Sequence, residues 1–391
     1  MFKIQTLNKI SDIVHQHLTA ENYLIANEEP VPDAILVRSA SMHDMEMPES
    51  LLAIGRAGAG TNNIPIEECS KRGIVVFNTP GANANAVAEL VIAGLMLGSR
   101  NVIGGVQWAA QNLTDKGGEV AKLVEKGKAQ FGGPEVRGKT LGVIGLGAIG
   151  AIVANAASQG LGMDALGFDP FISIESAWSL SRAVGRCTAV DDIYAKADYI
   201  TIHVPLKDNT KAMINADSIA KMKDGVHILN FSRAELVDSA AMAAALESGK
   251  VGSYVTDFPT AEVLAMKNTV AIPHLGASTP ESEENCASMA AAQIRDYLER
   301  GQIRNSVNLP EIILGHSEGV RVLIIHENEP GMVSAISAAI GARKININNM
   351  QNKSRKDMAV TVLEIGKMPD QRLLTELMAL PGVIRVRTFE E

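Results

Sequence analysis

Short apolar runs recur along the first hundred positions, separated by stretches with helical spacing. Strands are predicted at residues 2–6, 34–38, 52–57 and 74–78, with helical patterns between them, as at 10–18. Such alternation makes a small α/β layer of its own. Residues 101–137 are polar and rich in Lys and Gly, with one amphipathic stretch near 120–126. A second series of strand patterns follows at 141–144, 164–168, 199–204, 226–230, 254–256 and 270–272, with helices intervening, notably at 240–248. That order predicts a doubly wound parallel sheet. A long helix is predicted at 281–300. Residues 301–319, with Asn305, Asn308, Pro310 and Gly315, read as a linker. The remainder reads strand 320–326, helix 332–342, strands 345–351 and 358–365, helix 371–380 and strand 383–388. This βαββαβ order makes a small split α/β sandwich.

A chain of 391 residues is long enough for two to three domains, each with its own core. Its net charge of −8 and the lack of any Lys/Arg run longer than a pair exclude nucleic acid as an expected partner. Cys69, Cys187 and Cys286 are scattered and odd in number. They give neither a disulfide framework nor a metal-site spacing, and they fit a reducing compartment. The opening Met-Phe-Lys-Ile-Gln lacks the apolar core of a signal peptide. The apolar stretch 86–97 carries Glu89 and is too short to span a bilayer. The expectation is a soluble cytoplasmic protein with no membrane partner.

The most informative motif is Gly145-x-Gly147-x-x-Gly150, placed between a buried strand and an Ala-rich helix. The first glycine permits a tight turn, the second lets backbone approach a pyrophosphate, and the third lets helix pack on strand. Free N–H groups at the helix start, with Ala148 and Ile149, then face the phosphates. The next strand ends at Asp169, nineteen residues past Gly150. A carboxylate there accepts hydrogen bonds from ribose hydroxyls and repels a 2′-phosphate, which favours NAD over NADP.

Hydride transfer from an alcohol needs a base for the hydroxyl proton and a cation for a developing oxyanion or a neighbouring carboxylate. Three residues after predicted strands supply these types. Arg233 offers a planar fork to a carboxylate, His274 titrates near neutral pH, and Glu262 is an acid suited to orient that imidazole. Each also has a plain reading: a surface ion pair, a strand-end histidine or a loop charge.

Order and spacing then resemble a known family, the D-isomer-specific 2-hydroxyacid dehydrogenases, over nearly the whole chain. The marks are Arg56-Ala57-Gly58-Ala59-Gly60, Asn78-Thr79-Pro80 leading to Ala88-Glu89-Leu90, and Arg137-Gly138-Lys139-Thr140-Leu141-Gly142. Further along come Ile202-His203-Val204-Pro205-Leu206, Ser232-Arg233 before Val237-Asp238, and Pro273-His274-Leu275-Gly276-Ala277-Ser278-Thr279. The resemblance implies a catalytic set of Arg233, Glu262 and His274. It places Thr79, Val204, Phe231, Asp257, His274, Gly276 and Ala277 beside the nicotinamide half of NAD. It assigns the substrate carboxylate to backbone N–H groups of Gly58, Ala59 and Gly60, together with Arg233. Arg38 and Arg56 are candidates for a substrate phosphate, or else ordinary ion pairs. Three departures stand out. The family's Asp-Val-Phe and Glu-Pro run is here Asp257-Phe258-Pro259-Thr260-Ala261-Glu262, with its proline early. Ala148 and Ala234 stand where Arg and Gly are common. His203 reads as structural.

The tail resembles an ACT domain, and the resemblance implies that His326, Asn328 and Asn346 hold an amino acid, L-serine, across paired tails. A helix-entry turn explains Asn328 and Pro330-Gly331 equally. The expected partition is a discontinuous, flavodoxin-like substrate domain (1–97 plus 278–305), an NAD-binding Rossmann domain (98–277) and an ACT-like domain (316–391). An ACT-like tail on this fold implies 3-phospho-D-glycerate as substrate, with another 2-oxoacid such as 2-oxoglutarate, or NAD(H) sensing as a corepressor, as rivals. The family forms two-fold contacts, so a homodimer or homotetramer is expected. No expected catalytic residue lies beyond 316, so a chain cut there is expected to stay active.

Overall fold

The computed structural model describes residues 1–315 and 319–390, which fall into two compact units, residues 1–83 with 280–391 and residues 84–279. The expected start of the tail, at 316, lies outside the described residues.

In the first unit, β1 (Phe2–Leu7), β2 (Tyr23–Ala26), β3 (Ala34–Val37), β4 (Ala53–Arg56) and β5 (Val75–Phe77) form a parallel sheet in the order β2-β1-β3-β4-β5. Parallel strands are covered on both faces, which is why they read as unbroken apolar runs. One face packs against Met42, Leu51, Ile64 and Cys69. The other packs against the helix Pro280–Arg300 through Ala290, Ile294 and Tyr297. Gly55 lets the helix sit close, since a Cβ there would lie 3.1 Å from Ile294 Cγ1. The helical pattern at 10–18 becomes only a short 3-10 turn, Asp12–Gln16, and β2 was not expected.

The second unit holds β6 (Thr140–Ile144), β7 (Asp164–Phe168), β8 (Gly185–Arg186), β9 (Tyr199–Ile202), β10 (Val226–Asn230), β11 (Val251–Thr256) and β12 (Thr269–Ala271). They form one parallel seven-stranded sheet, β12-β11-β10-β9-β6-β7-β8. The chain reverses direction of growth between β6 and β9, where ligands sit in such sheets. The helix Ala84–Ser99 buries Val87, Val91 and Leu95 on this sheet with Phe231 and Val255. The unit break therefore falls at 83/84, ahead of the expected 97/98. The polar stretch after it carries a helix that was not expected, Val102–Leu113, with no buried residue, as well as Val120–Gly127.

The tail, β13 (Val320–Glu327), β14 (Ile347–Arg355), β15 (Met358–Ile365) and β16 (Val383–Glu390), is an antiparallel sheet in the order β14-β15-β13-β16. The helices Met332–Ala342 and Gln371–Met378 cover one face. The other face, with Leu323, Ile325, Val360, Val362 and Phe389, joins the core of the first unit around Tyr23 and Tyr297. The expected linker is likewise built in. Ile303, Leu309 and Ile312 are buried, and the Asn308 side chain pairs with Val76 N (2.9 Å) and Ile74 O (2.9 Å). The tail is thus packed as a layer on the first unit.

Candidate active site

In the second unit, the strand β6 delivers the glycine loop. Gly145 has φ +93, and a Cβ there would lie 2.6 Å from the His203 carbonyl oxygen, on neighbouring β9. A Cβ on Gly150 would overlap the Gly145 carbonyl oxygen, so only glycine lets the helix Ala148–Asn155 start this close. A Cβ on Gly147 would meet nothing, which leaves open space before the helix N-terminus. Ala148 and Ile149 open that helix. The donor set and the space fit a pyrophosphate. Asp169, past the end of β7, accepts the N–H of Leu146 at 2.9 Å and of Phe171 at 2.8 Å. It lines a cleft of about 580 Å³ with Phe168, Ile172, Leu180 and Arg186. An apolar cleft with one carboxylate suits an adenosine.

The next three strand ends carry the catalytic candidates. Asn230, buried at the end of β10, holds the turn that follows: its side chain donates to the Arg233 carbonyl at 2.8 Å and accepts from Ser232 N at 3.2 Å. Ser232 donates to the Ile202 carbonyl at 2.8 Å. This bracket projects Arg233, whose Nη1 reaches only the carbonyl of Ser232, at 2.6 Å. A buried, fully used Asn at a strand end was the readable signal for it, and sequence reasoning passed over it.

His274 follows β12 with φ +44, a left-handed conformation rare outside glycine. Its N–H donates to the Asp257 carbonyl at 3.0 Å, and its ring packs on Phe258 at 5.0 Å. Asp257 itself is buried, and its Oδ1 has no hydrogen-bond partner. Burial raises its pKa, while the His274 charge, the Gly276 N–H and the Arg233 charge pull the other way. Glu262 is exposed in the first turn of Ala261–Leu264, its carboxyl held below the usual range by the Thr260 hydroxyl, and it makes no described contact with His274. The buried Asp257 carboxylate feels both His274 and Arg233. Phe231 and Gly276 are buried nearby in the fold, and Val204 and Ala277 are half-buried.

In the first unit, β3 and β4 end at the remaining candidates. Arg38 is already paired, with Glu283 at 2.6 Å. Arg56 is not: its Nε is buried without a partner, burial lowers its pKa, and the Arg38 charge lowers it further. Among the described residues no carboxylate pairs with Arg56. Gly58, with φ +144, has no room for a side chain beside the Arg56 guanidinium. The Asn78 side chain grips the Ala59 carbonyl at 2.7 Å, and Thr79 N grips the Gly58 carbonyl at 3.1 Å. The N–H groups of Ala59 and Gly60 have no described backbone acceptor. Thr79 is fully buried and its hydroxyl is unpartnered.

Comparison with known proteins follows this geometry. Residues 105–276 match the D-isomer specific 2-hydroxyacid dehydrogenase NAD binding domain, and residues 320–382 match the ACT domain. The D-3-phosphoglycerate dehydrogenase of Haemophilus influenzae is 32% identical over 357 residues, covering 88% of this chain and 83% of the relative. This chain belongs to the D-isomer-specific 2-hydroxyacid dehydrogenase family. It is an NAD-dependent dehydrogenase. The D-3-phosphoglycerate dehydrogenase of Escherichia coli strain K12 is 34% identical, covering 87% of this chain and 82% of the relative. An NAD+-bound 3-phosphoglycerate dehydrogenase structure from Entamoeba histolytica matches with TM-score 0.58 and 28% identity, over 78% of this chain and 98% of that one. Among the described residues no single helix is long and apolar enough to cross a membrane.

In this dehydrogenase His326 is buried in the tail. It bonds the Glu327 carbonyl (2.7 Å) and the Thr361 hydroxyl (2.8 Å). Asn328 donates to the Lys356 carbonyl at 3.1 Å, at the same end of the sheet. Asn346 lies at the opposite end, beside the start of β14, bonded to Asn348. A single tail does not bring the three together.

His203 is no rival for the proton. Its Nε2 bonds Thr201 at 2.9 Å, its Nδ1 is buried without a partner, and burial pushes its pKa from 6.5 down to about 4. The unfolded chain therefore binds a proton that the folded chain refuses between those values. Stability should fall as pH drops from 6.5, by up to about 1.4 kcal/mol per pH unit, until the folded value is reached. Urea unfolding of His203→Gln should show a shallower loss across that window. An unchanged slope would contradict the burial reading.

Proposed function

We propose that this dehydrogenase oxidises 3-phospho-D-glycerate to 3-phosphooxypyruvate with NAD, the first step of L-serine synthesis. The observation that carries the reading is Arg56, a half-buried guanidinium whose Nε is buried without a partner and which has no carboxylate partner among the described residues, next to a glycine loop whose Ala59 and Gly60 N–H groups have no described backbone acceptor. An uncompensated buried charge is costly, and an anionic substrate relieves it. The relatives named above support the same substrate.

In this reading the N–H groups of Ala59 and Gly60 take the substrate carboxylate, with Gly58 supplying the turn, and Arg56, flanked by Arg38, takes the phosphate. Bound NAD supplies the hydride acceptor. In the second unit Val204, Phe231, Gly276 and Ala277 line its nicotinamide half. His274 accepts the hydroxyl proton, and Arg233 steadies the carboxylate and the developing carbonyl. In this reading Asp257 is a buried carboxyl that acts on both His274 and Arg233, and Glu262 is the further acid proposed to orient His274. In the reverse direction His274 returns the proton. Cytoplasmic location fits three buried free cysteines.

The test is NADH formation from a panel of D-2-hydroxy acids with and without a 3-phosphate. The expected result is turnover of 3-phospho-D-glycerate, lowered by His274→Ala on the order of 10²–10⁴-fold with NADH binding retained. Preference for 2-hydroxyglutarate, or His274→Ala keeping more than half the activity, would overturn the reading.

We also infer a two-fold contact through the helix Val102–Leu113, which exposes Val102, Ile103 and Val106. A second contact between tails would bring the partner's Asn346 end to His326 and Asn328, which is what an L-serine site would need. Sedimentation should show a dimer or tetramer that Val106→Glu weakens. A monomeric wild type would refute both contacts, and no heat with L-serine in calorimetry would refute the effector.

A further inference from the structure

The last strand of the tail does more than cover a core. Arg385, Arg387 and Phe389 alternate on the face of β16 that meets the first unit, opposite Ile325, Leu323 and Arg321 of β13. Arg387 donates from Nη1 to the Tyr297 carbonyl (3.2 Å) and from Nη2 to the Leu298 carbonyl (2.9 Å). Its guanidinium carbon lies 4.9 Å from the Tyr297 ring and 4.7 Å from the Phe389 ring. These carbonyls belong to the last turn of Pro280–Arg300, where the dipole favours a cation, and the Tyr297 carbonyl also accepts from the Gly301 N–H at 3.0 Å. Arg385 does the same at a second helix: its Nη2 donates at 3.0 Å to the carbonyl of Arg72, the residue that ends Ile66–Lys71. A Cβ on Gly73 would lie 3.2 Å from the Arg385 Cβ, so the strand sits hard against that turn. Neither arginine has a described carboxylate partner. Both spend their charge on helix ends.

The other end of the same long helix serves the substrate candidates. Glu283 holds Arg38 at 2.6 Å, and Cys286 lies close enough to Arg56 to act on its charge. Midway, the Gln293 side chain donates to the Asn78 carbonyl at 3.0 Å, and Asn78 in turn holds the Ala59 carbonyl. A helix of 21 residues, roughly 30 Å long, therefore runs from the β16 arginines to Arg38 and braces the glycine loop on the way.

We propose that Arg387 is a positioning residue for substrate binding, fixing the C-terminal end of the helix Pro280–Arg300 so that its other end and its middle hold Arg38, Arg56 and residues 58–60 in place. The proposal rests on the assignment of those residues to the substrate anions. Arginine suits the position because one planar fork takes two carbonyls and stacks on two rings, which lysine does not do.

The experiment compares wild type, Arg387→Gln and Arg387→Lys in the full chain, on whichever 2-hydroxy acid the wild type turns over best. KM for that acid should rise about 3- to 10-fold in Arg387→Gln, with kcat within about twofold, and Arg387→Lys should fall between. NADH binding, followed by its fluorescence, should be unchanged. Hydrogen exchange should speed up at residues 58–60 as well as at 297–300. Should Arg387→Gln not fold, the lysine variant carries the test with the same readouts. A lowered melting temperature with KM unmoved would overturn the proposal and leave Arg387 a stabilising residue. Failure of the substrate assignment shows separately, in which acid the wild type uses.

Discussion

The close approach of Gly150 to the Gly145 carbonyl governs the second unit. With no Cβ at either position, the helix begins directly against the end of β6, and its first N–H groups open onto unfilled space above Gly147. The same turn lies against the His203 carbonyl of β9, the neighbour across the point where strand order reverses. Everything that touches a dinucleotide in this fold is placed relative to that one contact. Asp169 ties the following strand to it through Leu146, and β9, β10, β11 and β12 then carry Val204, Arg233, Asp257 and His274 at successive ends.

Two opposite electrostatic situations follow, one in each unit. Asp257 is a buried acid whose burial favours its neutral form, offset by its neighbours His274 and Arg233 and the Gly276 N–H. Arg56 is a half-buried cation with no carboxylate partner among the described residues. The first is closed among protein groups. The second is open, and that openness argues for an anionic ligand more directly than any sequence motif does. Arg38 has the same residue type and a similar place in sequence, yet Glu283 already compensates it.

What could be read in the sequence depended on whether burial imposed a period. The central strands of both parallel sheets are buried on both faces, and their apolar runs gave bounds within a few residues. The helix Val102–Leu113 buries nothing, so no pattern announced it, and β2 is short and only half-buried. Residues 301–315 looked like a linker because of Asn305, Asn308, Pro310 and Gly315. Asn308 is there to satisfy the edge of β5, which composition alone does not reveal. Glu262 followed from spacing within a family, with Pro259 early in its loop. The glycine fingerprint and the strand-end Arg233 and His274 were legible because each depends on local backbone geometry. The pairing of Arg38 and the isolation of Arg56 depend on a helix more than two hundred residues away, and no local pattern encodes it.

The most direct measurement is the kinetic selectivity of Arg56→Gln. If Arg56 takes the 3-phosphate, the substitution should lower kcat/KM for 3-phospho-D-glycerate by about 10²-fold and leave that for unphosphorylated D-glycerate within a few-fold, since a lost charge-assisted pair costs about 2–3 kcal/mol. An equal fall on both acids, or no fall on either, would contradict the account.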